Sequence, residues 1–296
     1  MSTMWAATPS EHLMRVATRA AGRRRSATRR RLPLYIGLAM LVLAVAAAVL
    51  APVLVSHSPT TIDVLHPLAP PLTPGHALGT DQFGRDVLAR ILYGARIDLA
   101  IAFGATIVTL VGGTIIGLVA GYLGGRIDSV LMRLVDLFFA FPFLVLIIAI
   151  VAMLGPSILN MFVAIWITSW VAYARIMRAQ AVVAKRQQYV LAARALGYGR
   201  LRIMFRHILP NTASAVIIFS MVDAVGNIIL AASLGFLGLG AQPPSPEWGT
   251  MISEGQNYLL TSWWLATMPG LAVVFVGIAF SLVGDGLADL LRTGER

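Results

Sequence analysis

The chain has 296 residues, 58% of them apolar and only 12% charged, with a formal net charge of +10. Such an apolar excess does not fit the surface of an ordinary soluble domain, so lipid is the expected solvent. The charge does not point to nucleic acid: the basic residues lie between long apolar runs with no aromatic-interleaved basic surface, so no nucleic-acid partner is expected.

The first 31 residues hold eight arginines and one glutamate. They are too charged to fold alone and read as a cytoplasmic tail beside anionic membrane lipid. The apolar run over 34–55 far exceeds the ~7–15 residues of a secretory signal core, so an uncleaved first membrane span is expected. A Pro-rich external loop follows over 56–96, and loops of such length usually carry function. It contains His57, Asp63, His66 and His76. A metal constellation from these four is conceivable, but scattered loop histidines are usually solvated polar residues, and no metal site is assigned. None of the histidines has another three or four residues away, so a zinc site of the H-E-x-x-H type is excluded. The absence of cysteine excludes disulfides, thiolate metal sites and cysteine nucleophiles.

A helix needs ~20 apolar residues to cross a bilayer. Five further stretches qualify, at 99–122, 131–154, 158–174, 213–239 and 264–287. Cytoplasmic loops retain arginine and lysine. With six spans and both ends inside, that side holds 20 of the 23 basic residues, and the other side only Arg85, Arg90 and Arg96. Trp263 and Trp264 suit the interfacial belt at the outer end of the last span.

The second span carries Gly113, Gly117, Gly121 and Gly125 at four-residue spacing, a small-residue seam for helix packing. Packing within the chain and contact with a partner subunit both fit this pattern. At the start of the third span Arg133 and Asp136 are expected to pair, and Pro142 to kink the helix. Ser220, Asp223 and Asn227 lie three and four residues apart on the fifth span and form one polar stripe. Ionisable groups at that depth either line a water-filled path or bond neighbouring helices, and both readings stand.

The most patterned segment is the cytoplasmic loop over 175–211, with eight basic residues and no acidic one. Residues 189–196 predict a helix with Gly197 as its C-terminal cap. Leu201, Met204, Phe205 and Ile208 then repeat at i, i+3, i+4 and i+7 before Pro210 stops the run. The apolar side of this amphipathic segment must bury itself in the headgroup layer, against the chain's own spans, or in a groove on another protein. Lys185, the single lysine, has no glycine pattern before it, so a phosphate-binding loop is excluded. No catalytic motif or cofactor site is found.

The stretch QYVLAARALGYGRLRIMFRHILPN, residues 188–211, resembles the cytoplasmic signature loop of the inner-membrane permeases of ABC importers. Ala192, Ala193, Gly197, Leu209 and Pro210 match the family pattern; the family's acidic residue falls at Leu191, where this sequence departs from it. Residues 76–86 (HALGTDQFGRD), 126–142 (RIDSVLMRLVDLFFAFP), 233–249 (SLGFLGLGAQPPSPEWG) and 284–289 (GDGLAD) extend the resemblance to the second permease subunit of dipeptide and oligopeptide importers. Only the first 31 residues lie outside the match.

The resemblance implies an all-α, six-span membrane protein with the type I ABC importer permease fold. It would divide into a basic tail (1–31), a first span with its external loop (32–95), and a five-helix transmembrane domain (96–291). It also implies a bacterial inner-membrane location, pairing with a homologous permease subunit, two ATP-binding subunits, an extracytoplasmic substrate-binding protein, and no enzymatic activity of the chain's own. The ATPase-docking loop would comprise Ala192, Ala193, Leu196, Gly197, Arg200, Phe205, Leu209 and Pro210. Peptide is the expected substrate, with nickel or another small solute as the alternative within the family. An ion-coupled secondary transporter is the rival from another class; no convincing internal repeat of spans supports it.

Overall fold

The computed structural model describes the backbone of residues 9–293 and the side chains of 32–291. Among them every named element is helical. Helix α1 runs Pro9–Leu54, α2 Val87–Leu123, α3 Gly125–Phe139, α4 Phe143–Leu154 and α5 Ile158–Ala184. They are followed by α6 (Gln188–Ala195), α7 (Arg200–Ile203), α8 (Leu209–Phe236), α9 (Trp248–Gly255) and α10 (Trp264–Thr293). Five helical stretches are long and apolar enough to cross a membrane: 32–54, 87–123, 158–184, 200–236 and 264–291.

The third predicted span is broken. Helices α3 and α4 meet at 85°, with Pro142 capping α4, so the expected kink is a sharp elbow. The pair nevertheless returns the chain across the bundle. Helices α2 and α5 run parallel: a Cβ added at Gly113, Gly117 or Gly121 would meet the backbone around Trp170, Ala174 and Arg178 respectively. Two parallel neighbours require a return path between them, and α3 with α4 is that path. An amphipathic 15-residue helix followed by an apolar 12-residue one together supply the missing length.

Three of the four seam glycines therefore pack within the chain. Gly125 does not: it follows the end of α2, has φ +60° and faces open space. Gly124 and Gly125 both take positive φ, which turns the chain sharply into α3 and carries Gly125 off the glycine face. Asp136 also departs from expectation, pairing with Arg175 at 2.6 Å rather than with Arg133, because the elbow sets α3 beside α5. The bidentate Arg178–Asp128 pair, at 2.5 and 2.7 Å, fixes the same two helices.

Helix α1 is not a separate unit. It packs antiparallel on α10, where Gly37 faces Ala279 and Val283 and Gly286 faces Leu34. Helix α2 begins at Val87, so Arg90 and Arg96 lie on the helix and the division placed at residue 95 falls inside it. The basic segment from Pro9 onward is continuous with the first span as helix. Arginine is a good helix former, and extending an existing helix avoids the nucleation cost. Residues 1–8 of the expected tail lie outside the described residues.

Candidate functional site

The segment after α5 forms a short helical elbow beneath the bundle. Helix α6 ends as predicted: Gly197 has φ +78°, its N–H donates to Arg194 O, and Tyr198 N–H donates to Ala193 O. This is the double closure of a Schellman cap, which needs the left-handed conformation that glycine adopts without strain. Pro210 does not stop the run that follows. The chain remains helical from Arg200 to Phe236 through a π-helical segment, Met204–Ile208. There Leu209 N–H reaches back five residues to Met204 O, widening the turn at the point where the proline ring would meet the Arg206 carbonyl. Asn211 donates its side-chain amide to His207 O at 2.6 Å, supplying a donor beside the proline's missing one.

The elbow has two apolar sides. Val190, Ala193, Ile203, Met204 and Ile208 are buried against Leu118, Tyr122, Tyr173, Met177, Ala181 and Val216, so of the three burial sites open to the pattern, this side uses the chain's own spans. Leu191, Leu196, Leu201 and Phe205 face outward; Leu196 and Leu201 are 72% and 71% exposed. Leucine at position 191 thus enlarges an apolar outer face. Ala192, Arg200 and Pro210 share this exposed surface, while Leu209 is half-buried. Beside it a cavity of about 580 Å³ is lined by Tyr122, Lys185, Arg194, Tyr198 and Arg200. Lys185 donates to Gly121 O at 2.8 Å, satisfying a terminal carbonyl of α2.

The polar stripe on α8 divides by role. Ser220 donates to Ile217 O on its own helix. Asn227, buried, donates to Thr106 Oγ1 on α2 at 3.0 Å and to Asp223 Oδ2 at 3.1 Å. Asp223 also accepts from Tyr173 of α5 at 2.9 Å, so one small network bonds α2, α5 and α8. Asp223 additionally faces a cavity of about 160 Å³ at the α3–α4 elbow, lined by Phe138, Phe139, Phe141, Phe143 and Ser169. Thr106 and Tyr173 escape sequence inspection because a lone hydroxyl in an apolar run gives no periodic signal.

The opposite end is built differently. Arg85 and Arg90 both grip Asp81, at 2.6 and 2.7 Å, and both reach Glu254 on α9, at 3.0 and 2.8 Å. Arg96 donates to Ala48 O and Val49 O near the end of α1. Glu247 caps α9 by accepting from Gly249 N–H and Thr250 N–H. Burial pushes its carboxyl above the ordinary range, against the pull of those donors. Asp98 of α2 is fully buried and accepts from Trp248 N–H. Asp98 sits one residue before the predicted second span, so its burial is invisible in the hydropathy pattern.

The sequence matches the family model of the binding-protein-dependent transport system inner membrane component over residues 113–296. It is 41% identical over 260 residues to the di/tripeptide transport system permease protein DppC of Pseudomonas aeruginosa (strain UCBPP-PA14), covering 86% of each chain. It is 45% identical over 216 residues to the glutathione transport system permease protein GsiD of Escherichia coli O6:K15:H31, covering 73% of this chain and 71% of that one. A chain of the MetNI methionine ABC transporter, solved in an inward-facing conformation, superposes with a TM-score of 0.53 at 16% identity. That match covers 70% of this chain and 97% of the other, and it carries the fold alone.

Proposed function

This chain belongs to the family of inner membrane components of binding-protein-dependent transport systems, and from that premise we propose that it is a permease subunit of an ATP-driven importer of short peptides. The observation that carries the proposal is the two-sided cytoplasmic elbow. Its inner side is fastened to the spans while Leu191, Leu196, Leu201 and Phe205 stay exposed. Apolar side chains left outward on a basic, capped helix fit a groove on a soluble partner. An ATPase subunit is the partner that the relatives' class of transporter requires.

In this proposal the chain forms half of the pathway with a homologous permease subunit, takes substrate from an extracytoplasmic binding protein, and leaves ATP hydrolysis to two partner subunits. Both termini face the cytoplasm. The arginine segregation supports that orientation, since the three arginines of the external side are spent on internal partners. Coupling requires that the docked ATPases favour one arrangement of the spans over another. The elbow is suited to pass on such a bias, because Ile203, Met204 and Ile208 share one buried cluster with side chains of α2 and α5. Asp223, at the cavity beside the α3–α4 elbow, is the proposed pathway-lining group of the stripe, with Asn227 and Tyr173 holding it in place.

The test is reconstitution of the two permease subunits with their ATPases and binding protein in proteoliposomes. Peptide accumulation that requires internal ATP is the expected result, with Phe205→Asp abolishing both uptake and ATPase co-purification. Uptake driven by an ion gradient with no ATPase present would overturn the proposal.

A further inference from the structure

The external loop between α1 and α2 brings three of the chain's five histidines together. Donor atoms of Asp63, His66 and His76 all lie within 4.8 Å of one another, and so do those of His57, His76 and Asp86. His57 stacks beside His76 with ring centroids 4.9 Å apart. The scattered, solvated histidines expected from the sequence are thus one cluster, assembled from both ends of a 20-residue stretch.

Each donor is held by its own support. His76 is buried, and its Nδ1 lies 2.9 Å from Asp86 Oδ2, whose other oxygen caps α2 through Ala89 N–H. His66 is set by its backbone, whose carbonyl accepts from the buried Thr80 hydroxyl. Asp63 is set by the turn at Gly84, where φ is +77° and an added Cβ would run into the Asp63 backbone. The turn is in turn anchored, since Asp81 and Arg85 belong to the ion cluster that reaches Glu254.

The Asp63 carboxylate joins the two ends of the cluster. With its Nδ1 turned to Asp86, His76 presents Nε2 to Asp63 Oδ2 at 3.6 Å, and the same oxygen lies 2.8 Å from His66 Nδ1. Two imidazoles and a carboxylate gathered this closely are donors of the kind a divalent cation takes. Metal bonds of ~2.1 Å in tetrahedral geometry separate neighbouring donors by about 3.4 Å, close to the 3.6 Å between His76 and Asp63, while His66 would exchange its hydrogen bond to Asp63 for the metal. A histidine whose second nitrogen is engaged by a buried carboxylate is also the usual support for a zinc ligand.

We infer that Asp63, His66 and His76, with His57 at the fourth position and Asp86 orienting His76, form a site for a divalent transition-metal ion of the zinc class. The mixed imidazole and carboxylate set suits such an ion better than calcium or magnesium, which take oxygen ligands. Bound there, the ion would clip the exposed segment 57–66 onto the platform formed by 76–90. The site is independent of the transport proposal and is tested without transport.

The experiment titrates Zn²⁺ into the purified permease complex in lipid nanodiscs, prepared without a polyhistidine tag, by calorimetry and by visible absorption with Co²⁺ as the spectroscopic substitute. One equivalent per copy of this chain is expected, with tetrahedral d–d bands. His66→Ala, an exposed change that leaves the fold intact, should remove that equivalent. Asp86→Asn, which touches no metal, should weaken it about 10- to 100-fold while retaining the spectrum at saturation. Amide exchange of residues 57–66 should slow on adding Zn²⁺ in the wild type and stay unchanged in His66→Ala. His207→Ala, on the cytoplasmic elbow, should match the wild type. Equal Zn²⁺ uptake by wild type and His66→Ala, or no saturable equivalent in the wild type, overturns the site and identifies the cluster as a hydrogen-bonded turn.

Discussion

The loop between α1 and α2 and the elbow between α5 and α8 are both irregular segments attached to the same bundle, yet they end in opposite conditions. In the α1–α2 loop the charged groups find partners inside the chain: Arg85 and Arg90 share Asp81 and Glu254, and His76 meets Asp86. In the elbow only the inner side is satisfied, and four large apolar residues face outward. A region that satisfies itself acts as a fixed platform. A region that leaves apolar surface uncovered, while its backbone is held by a Schellman cap and a π-turn, is the surface on which the proposed docking rests.

The sharpest way to break the closed end is Arg90→Ala. It leaves Asp81 and Glu254 short of one guanidinium in a buried cluster, and losing one member of such a cluster costs about 3–5 kcal/mol. Thermal unfolding of the detergent-solubilised complex should show a large drop, with ATPase co-purification retained in whatever remains folded. An unchanged midpoint would mean that the ion cluster does not hold the platform. Gly117→Ala attacks the frame joining both ends, because its Cβ meets the Ala174 carbonyl and the Arg178 N–H region. Overpacking of this kind costs about 1–3 kcal/mol, read as reduced yield and a lower midpoint.

Gly197→Ala strains the elbow alone. At φ +78° an L side chain costs about 1–2 kcal/mol, expected as faster amide exchange in α6 and weaker ATPase retention. The smallest effect on stability belongs to Phe205→Asp. It changes an exposed residue and should fall within about 0.5 kcal/mol, yet it should eliminate ATPase co-purification. Wild-type retention of the ATPases in Phe205→Asp would erase the distinction between the two ends as far as docking is concerned.

Periodicity made much of this legible in advance. The span at 34–55 nearly coincides with the observed 32–54, and Gly197 caps its helix because left-handed backbone favours glycine wherever it occurs. Local chemistry also placed the break at Pro142, though not its 85° angle, which follows from α3 lying beside α5 through Arg178 and Arg175. Pro210 misled for a related reason: a proline ends a helix unless the preceding turn widens, and whether it widens is settled by packing around Met204 and Ile208. Asp136 chose Arg175 over Arg133 because a side chain pairs with what the tertiary fold brings near.

The sequence by itself determined that the chain lives in lipid, where the elements begin and end to within a few turns, and which loop is basic and amphipathic. These are local consequences of hydropathy, charge placement and glycine stereochemistry. Only the tertiary structure decided that the glycine seam joins α2 to α5, that Asn227 bonds Thr106, and that His57, Asp63, His66 and His76 converge. Such pairings join residues far apart in the chain, and no residue's own character specifies the distant neighbour that packing will set against it.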